Sequence, residues 1–261
     1  MIKFFRHIRR TLINQNNKGK YFKYAIGEIL LVVIGILIAL SINNWNEDKK
    51  ERREERLALK SLHSEFIESR ELFNKSQSHH KTIFDGMRFL LEILDEKRVN
   101  ESLVDSIYIS LNTSAWSSST FEPSRGIVNS LINSGKQNII SNDKLKSHLI
   151  KWNDLVISFQ NTERLVQEYK FSYLFPTISR LTQLPSKLKR SELNARYDIN
   201  NVSNVEVDLN LLQSKMFYNY LNQCWNFSQT ILVEGRSTSK GKKVKEVLDT
   251  IILLIEKELE K

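Results

Sequence analysis

The chain has 261 residues, with 39 Lys and Arg against 30 Asp and Glu, which gives a net charge of +9. Hydrophobic residues make up 41% and charged residues 26%, a balance that excludes both a disordered chain and a uniformly membrane-buried one. The chain has only eight Gly and three Pro, which disfavours an all-β fold, because such folds need frequent turn residues. A single cysteine excludes an intramolecular disulfide framework and a Cys-rich zinc site.

Residues 1–23 form a basic tail without any acidic residue, whereas residues 46–56 carry five bases and five acids. This asymmetry predicts that the tail stays in the cytoplasm. Residues 44–261 carry 32 bases and 29 acids, so the excess charge lies in the tail and nucleic-acid binding by the large domain is disfavoured. The tail either acts only as a topogenic leader or lies as a short amphipathic helix on the anionic leaflet. Its bases are Lys3, Arg6, Arg9, Arg10, Lys18, Lys20 and Lys23.

Residues 24–43 are predicted to form a transmembrane helix. No charged residue occurs from Ile29 to Ile42, and Glu28 alone interrupts the apolar stretch before them. With a rise of about 1.5 Å per residue, about 20 residues cross a hydrocarbon core of about 30 Å. Aromatic residues stand at both ends, where the membrane interface favours them, and the predicted interfacial anchors are Tyr21, Tyr24 and Trp45.

Two other interpretations of this stretch are weaker. A cleaved secretory signal is one, with Ala39-Leu40-Ser41 as the cleavage site, but the basic leader and the apolar run are both longer than usual. A buried core helix is the other, but such a helix in a soluble domain normally shows a polar face, and this stretch has none. We therefore expect an uncleaved single-pass anchor in a bacterial inner membrane.

Small residues lie along one face of the predicted anchor. Gly27, Gly35 and Ala39 are spaced by eight and four residues, and Glu28 borders the same face. Small residues at a spacing of four permit close approach of two helices, and a carboxylate inside the membrane usually faces a partner. The face therefore indicates self-association or docking to another membrane protein. The alternative is that Glu28 lies shallow enough to reach the lipid headgroups.

Two stretches resemble a known family. These are GKYFKYAIGEILLVVIGILIALSINNWNE (residues 19–47) and FEPSRGIVNSLINSGKQNIISNDKL (residues 121–145). They are similar to segments of an uncharacterised single-pass membrane protein family of Bacteroidota, a domain of unknown function. The resemblance implies an uncleaved inner-membrane anchor with a helical domain beyond it. It implies no activity, no cofactor and no catalytic residue.

Residues 44–261 are predicted to form an extracytoplasmic helical bundle, so the expected fold class is all-α. Apolar residues recur every three or four positions from Leu59 to Leu94, which is the helical period. A single helix from Phe22 to Glu96 would exceed about 100 Å, so we expect a kink or break near Ser76–His80.

Further helices are predicted after this one, and together they fit an elongated antiparallel bundle. Asn100 or Ser102 is the expected cap of the first. The expected ranges are 102–112, a helix from Pro123 to Ser134 closed by a left-handed Gly135, a long helix from Ser141 or Asn142 to Pro176, and helices over 208–233 and 242–260. Residues 184–207 are expected to form an irregular connection.

No segment predicts a catalytic, cofactor-binding or metal-binding site, and we expect no enzyme activity. The loop from Gly235 to Lys243 superficially resembles a phosphate-binding loop, but it has five residues between its glycines where that motif has four. His79 and His80 diverge by about 100° on a helix and so cannot both bind one metal ion, and no His or Cys at i+3 or i+4 completes a pair; we expect hydrated surface histidines. Cys224 lies among apolar residues and is expected in the core.

The sequence therefore predicts a membrane-anchored periplasmic helical module that acts through protein–protein contacts, with the lipid bilayer and a protein or a second copy as partners. The alternative is a ligand-sensing input domain that works with a separate effector. A membrane-tethered hydrolase is disfavoured because no catalytic constellation is evident.

Overall fold

The computed structural model describes residues 18–182 and 206–261. The predicted basic residues Lys3, Arg6, Arg9 and Arg10, and most of the irregular connection predicted over 184–207, lie outside these ranges. Within them the all-α fold class is confirmed: no β-strand is present, and one isolated antiparallel bridge joins Thr182 to Val207. The α-helices are α1 (Lys18–Asp95), α2 (Val104–Trp116), α3 (Gly126–Asn133), α4 (Asp143–Tyr169), α5 (Phe175–Leu181), α6 (Leu209–Leu212), α7 (Lys215–Ser228) and α8 (Lys240–Leu259).

The chain divides into two compact units between Leu57 and Ala58. In the first unit, every residue from 29 to 42 is exposed. Within the described ranges α1 is the one helix that is long and apolar enough to cross a membrane. Its most apolar 18-residue window has a mean hydropathy of 2.4 and no buried residue.

The second unit is a helical bundle with two hydrophobic clusters along α1. Residues 59–73 of α1 contribute to the first cluster, and residues 83–93 contribute to the second. The first cluster is completed mainly by the buried residues of α4 and α8, and the second by those of α2, α5 and α7. Trp152 of α4, which is 1% exposed, packs against Phe66 with ring centroids 5.3 Å apart and anchors the first cluster.

The break predicted near Ser76–His80 is wrong, because α1 continues through these residues to Asp95. Serine and histidine are mediocre helix formers, which makes a break plausible from sequence. In the structure Ser76 and His80 are buried, and both contact the carboxylate of Glu163 on α4. Tertiary hydrogen bonds therefore compensate for weak local propensity.

Several helix boundaries follow the sequence signals. Gly135 has φ 69° and closes α3 in the left-handed conformation, as predicted. The side chain of Asn142 accepts a hydrogen bond from the Leu145 amide and so caps α4. Asp208, Ser214 and Ser239 cap α6, α7 and α8 in the same way.

Other boundaries differ from the prediction. The helix expected from Pro123 begins at Gly126, and the one expected over 208–233 divides into α6 and α7. A short 3₁₀ turn, Glu101–Leu103, precedes α2, and Asn100 makes no side-chain cap there. The long helix does not end at Pro176. A π-helical turn, Lys170–Leu174, follows α4 directly, and α5 continues from it with Pro176 in its first turn.

Candidate functional site

A buried carboxylate lies at the level where the two hydrophobic clusters separate along α1. Glu163 of α4 is 1% exposed and accepts hydrogen bonds from the Phe121 amide at 3.1 Å and from the Ser76 hydroxyl at 3.4 Å. Nε2 of His80 lies 2.8 Å from the same carboxylate. A buried carboxylate is tolerated only when it is satisfied in this way. Glu163 therefore joins α1, α4 and the loop that contains Phe121.

A second buried glutamate holds the end of the same loop. Glu65 of α1 accepts hydrogen bonds from the amides of Ile127 at 2.7 Å and Val128 at 3.2 Å. These amides lie in the first turn of α3, and the residue at its N-cap position, Arg125, makes no side-chain cap. Free N–H groups and the helix dipole make this end of α3 favourable for a negative charge. Glu65 is therefore a cap supplied by another helix.

The two glutamates together hold residues 121–128 by the backbone at both ends. Phe121 itself is fully buried, with its ring 5.1 Å from that of Phe73 and 6.1 Å from that of Phe159. Gln160 also donates a hydrogen bond to the Phe121 carbonyl at 2.8 Å. The loop is thus fixed against α1 and α4 by aromatic packing and by backbone hydrogen bonds, and its preceding residues, 118–120, form one side of a cleft.

A buried lysine lies in the π-helical turn that follows α4. Lys170 is 3% exposed, and its ammonium group donates a hydrogen bond to the carbonyl of Ser117. Burial lowers the pKa of Lys170 from 10.5 to about 8, and the nearby Cys224 acts in the opposite direction. Burial raises the pKa of the Cys224 thiol to about 12, and its complete burial confirms the predicted core position.

The lowered pKa of Lys170 makes stability depend on pH. Between pH 8 and 10.5 the unfolded chain binds the proton that folded Lys170 has lost, so folding becomes more favourable as pH rises through this window. Relative to Lys170→Met, the wild type should gain about 1 kcal/mol of unfolding free energy between pH 8 and pH 9. Urea unfolding of the two full-length proteins at both pH values measures this gain. An unchanged difference would contradict it, and Cys224, present in both proteins, cancels in the comparison.

The buried polar contact of Ser76, His80 and Glu163 is called the Glu163 layer below. A polar cleft of about 610 Å³ lies beside it. One wall is the face of α1 between residues 72 and 82, and the other is the loop segment 118–122, on both sides of Phe121. Of the side chains that the structure describes, Leu72 is the one apolar member of the lining. The remaining lining residues are Lys75, Ser76, Ser78, His79, Thr82, Ser118, Ser119, Thr120 and Glu122. The cleft is thus rich in hydroxyl groups and carries both signs of charge.

The ionisable groups of the cleft are separated between its walls. Lys75 and His79 lie on α1, and Glu122 lies on the loop. Within the described ranges none of the three forms an ion pair. The pKa of His79 is lowered, first by partial burial and then by the charges of His80 and Lys170. Lys75 is therefore the cation of the cleft at neutral pH.

The prediction that His79 and His80 are both surface residues is half wrong. His79 is exposed, whereas His80 is 6% exposed and contacts Glu163. A signal for this was present in the sequence. Position 80 continues the buried stripe of α1 through its spacing from Phe73, Ser76 and Ile83, and Glu163 likewise falls on the apolar stripe of α4 between Phe159 and Val166. Polar residues on an apolar stripe indicate a buried polar contact.

The loop that resembles a phosphate-binding loop is a packed connection between α7 and α8. A Cβ atom at Gly235 would lie 2.0 Å from the Gln229 carbonyl oxygen, and one at Gly241 would lie 2.1 Å from the Ile231 carbonyl oxygen. Close backbone approach therefore accounts for both glycines. Lys240 donates hydrogen bonds to Ser158, and Ser239 caps α8.

The predicted helix-pairing face lies within the first unit. Gly27, Gly35, Ala39 and Glu28 all belong to α1, and a Cβ atom added at either glycine would meet no atom within 4 Å. Of the interfacial anchors, Trp45 is 58% exposed, and the ammonium group of Lys49 lies 3.8 Å from its ring centroid. Tyr21 and Tyr24, together with Lys18, Lys20 and Lys23, lie in α1 before this face.

Residues 28–155 match the family described as "Family of unknown function (DUF6090)". The prediction of an uncharacterised domain is thereby confirmed, while the bacterial phylum and the anchor motif stay predictions. No match was found among curated proteins or among solved structures. The matched residues include the apolar part of α1, Glu65 and all ten residues that line the cleft. They do not include Glu163 or Lys170.

Proposed function

We propose that this protein is a non-enzymatic, membrane-anchored helical module that acts through protein–protein contacts. The observation that supports an anchor best is the uncharged stretch from 29 to 42, in which every residue is exposed. Exposed apolar side chains over this length would be unfavourable in water and favourable in hydrocarbon. The anchor keeps the bundle of the second unit at the membrane, where it meets membrane-bound partners.

The proposed location is a bacterial inner membrane, with the basic tail in the cytoplasm and residues 44–261 in the periplasm. The support is the tail of seven bases without acids, because bases are retained on the cytoplasmic side. The proposed partners are the lipid bilayer and either another protein or a second copy of the chain, with no nucleic acid.

Labelling of single cysteines in intact cells tests this topology. The only native cysteine, Cys224, is fully buried and its thiol pKa is raised to about 12, so it gives little background. A membrane-impermeant maleimide should label Glu246→Cys in intact cells and Asn16→Cys only after permeabilisation. The reverse pattern, or a purified protein whose N-terminus begins near Ile42, would overturn the proposed anchor and orientation.

Self-association through the face that contains Gly27, Glu28, Gly35 and Ala39 remains a prediction. Mild oxidation of membranes that contain Gly35→Cys should give a disulfide-linked dimer, because small residues allow the two helices to approach closely. Leu37→Cys is the matched control, since two residues place it about 200° around the helix. Equal yields from the two variants, or no dimer from either, would contradict pairing through this face.

The second candidate function is a ligand-sensing input domain that works with a separate effector. The cleft between α1 and residues 118–122 favours it, because its lining is polar and its charges are separated. Its α1 wall includes Ser76, which contacts Glu163, so a bound ligand would lie next to the groups that join α1 to α4. A ligand that binds the folded state raises its stability by mass action.

A further inference from the structure

The cleft beside the Glu163 layer has two chemically different walls. On α1, residues 72, 75, 76, 79 and 82 follow helical spacing, and together with Ser78 they present one ammonium group, one imidazole and three hydroxyl groups. On the loop, residues 118–120 present three hydroxyl groups, and Glu122 presents a carboxylate. The loop wall is rigid because Glu163 and Gln160 hold Phe121 by its backbone.

The charged groups of both walls are available to a ligand. Lys75, His79 and Glu122 are exposed, and within the described residues they form no ion pair with one another or with a neighbour. Several lining hydroxyls are exposed as well, including those of Ser78 and Ser118. A cation on one wall and an anion on the other are complementary to a ligand that carries both charges.

We propose that this cleft binds a small dipolar ligand of the α-amino acid class, with its carboxylate toward Lys75 and His79 and its ammonium group toward Glu122. The hydroxyl groups of the two walls supply the remaining hydrogen bonds to the bound carboxylate and to polar side-chain atoms of the ligand. The volume of about 610 Å³ lies within the range of small-molecule sites.

Other ligand classes fit the lining less well. Among the side chains that the structure describes, no aromatic one lines the cleft, and sugar or base rings are usually bound by stacking on aromatic side chains. A phosphate dianion would meet the Glu122 carboxylate without a second cation at neutral pH, since the pKa of His79 is lowered. Within the described residues, no group of three or more His, Cys, Asp or Glu side chains offers a metal site.

This proposal deepens the second candidate function and rests on the cleft alone, so it does not depend on the membrane topology. Its test uses the full-length protein in lipid nanodiscs and isothermal titration with each of the twenty L-amino acids. For each binder, the N-acetyl derivative removes the positive charge and the methyl ester removes the negative charge. We expect at least one amino acid to bind with a micromolar to millimolar Kd and each blocked derivative to bind at least about 10-fold more weakly.

Two variants test which wall of the cleft binds which charged group of the ligand. In Glu122→Gln, the free amino acid should bind about 10-fold more weakly and no longer be preferred over its N-acetyl derivative. In Lys75→Met, the preference over the methyl ester should disappear instead. Lys144→Met and Glu246→Gln change exposed charges outside the cleft and should bind like the wild type. In the wild type, the bound carboxylate should also raise the pKa of His79 from its lowered value, as followed by NMR of the imidazole.

The proposal is overturned if none of the twenty amino acids shows binding at a ligand concentration 20-fold above a millimolar Kd. It is also overturned if the blocked derivatives bind as tightly as the free amino acids, or if the two cleft variants bind like the control variants. Failure of the labelling experiment on Glu246→Cys and Asn16→Cys would overturn the topology and leave this proposal intact, because the binding assay does not depend on which side of the membrane the cleft faces.

Discussion

Replacing Glu163 with alanine is expected to lower the free energy of unfolding by about 3–5 kcal/mol, because it leaves buried donors without their acceptor and removes side-chain volume from the core. The change leaves the Phe121 amide and the His80 imidazole buried without their acceptor. It also opens a space between Phe159 and Val166 on the buried stripe of α4. Urea unfolding of the full-length protein in detergent micelles, followed by tryptophan fluorescence, measures the loss.

Two comparisons separate the hydrogen bonds of Glu163 from its volume. Glu163→Gln keeps the shape and one acceptor oxygen, so its loss should be smaller, about 1–3 kcal/mol. Glu168→Ala removes an exposed glutamate from the same helix, together with its ion pair to Arg164, and should cost at most about 0.5 kcal/mol. A double-mutant cycle with His80→Ala should show coupling. If Glu163→Ala lowered the free energy of unfolding no more than Glu168→Ala, the Glu163 layer would contribute nothing to stability.

The Glu163 layer explains how α1 contributes to two hydrophobic clusters without a break. Phe73 belongs to the first cluster and Ile83 to the second, and the buried positions between them on the same stripe are Ser76 and His80. A satisfied polar contact at this level fixes the register of α1 against α4, because sliding by one turn would place Glu163 opposite an apolar side chain. The cleft opens beside the same level, where apolar packing is interrupted.

Much of this fold follows from sequence patterns. The apolar stripe of α4 predicts its buried residues, and the caps at Asn142 and Gly135 define two helix ends. The continuation of α1 through Ser76–His80 does not follow from local propensity, because it depends on a glutamate 83 residues further along the chain than His80. The π-helical turn at Lys170 is equally non-local, since the Ser117 carbonyl accepts its hydrogen bond.

The candidate site is less predictable than the fold. Its polar residues come from α1 and from a loop that sequence patterns identify only as irregular, and their proximity depends on Glu65 and Glu163. Serine and threonine in a loop are common, so residues 118–120 carry no sequence signal that separates a binding wall from an ordinary connection. The signal that the sequence does contain is the position of Glu65 and Glu163 on apolar helix stripes. Such a position indicates a buried polar contact, because burial of a carboxylate requires donors from elsewhere in the chain.

Replacing Glu65 with alanine should loosen the start of α3 as well as lower global stability. The amides of Ile127 and Val128 lose their acceptor, and α3 has no side-chain cap of its own to replace it. We expect a loss of about 2–3 kcal/mol, more than a single local cap provides, because one buried and one partly buried donor are left unsatisfied. Hydrogen exchange of the full-length protein should show faster exchange in α3 and in residues 121–125 than elsewhere in the bundle.

Asn142→Ala is the control: it removes a cap that accepts from the single amide of Leu145, together with a hydrogen bond to Glu258 on α8, and should cost about 1–2 kcal/mol. Its effect on exchange should be confined to the first turn of α4 and to the end of α8 that carries Glu258, and should not reach α3. Glu65→Gln retains one acceptor oxygen and should fall between the two. The decisive comparison is the rate of hydrogen exchange in α3. If α3 exchanged equally slowly in Glu65→Ala and Asn142→Ala, the packing of Phe121 and Val128 would be what holds the loop and α3. The carboxylate of Glu65 would then be dispensable for the wall of the cleft.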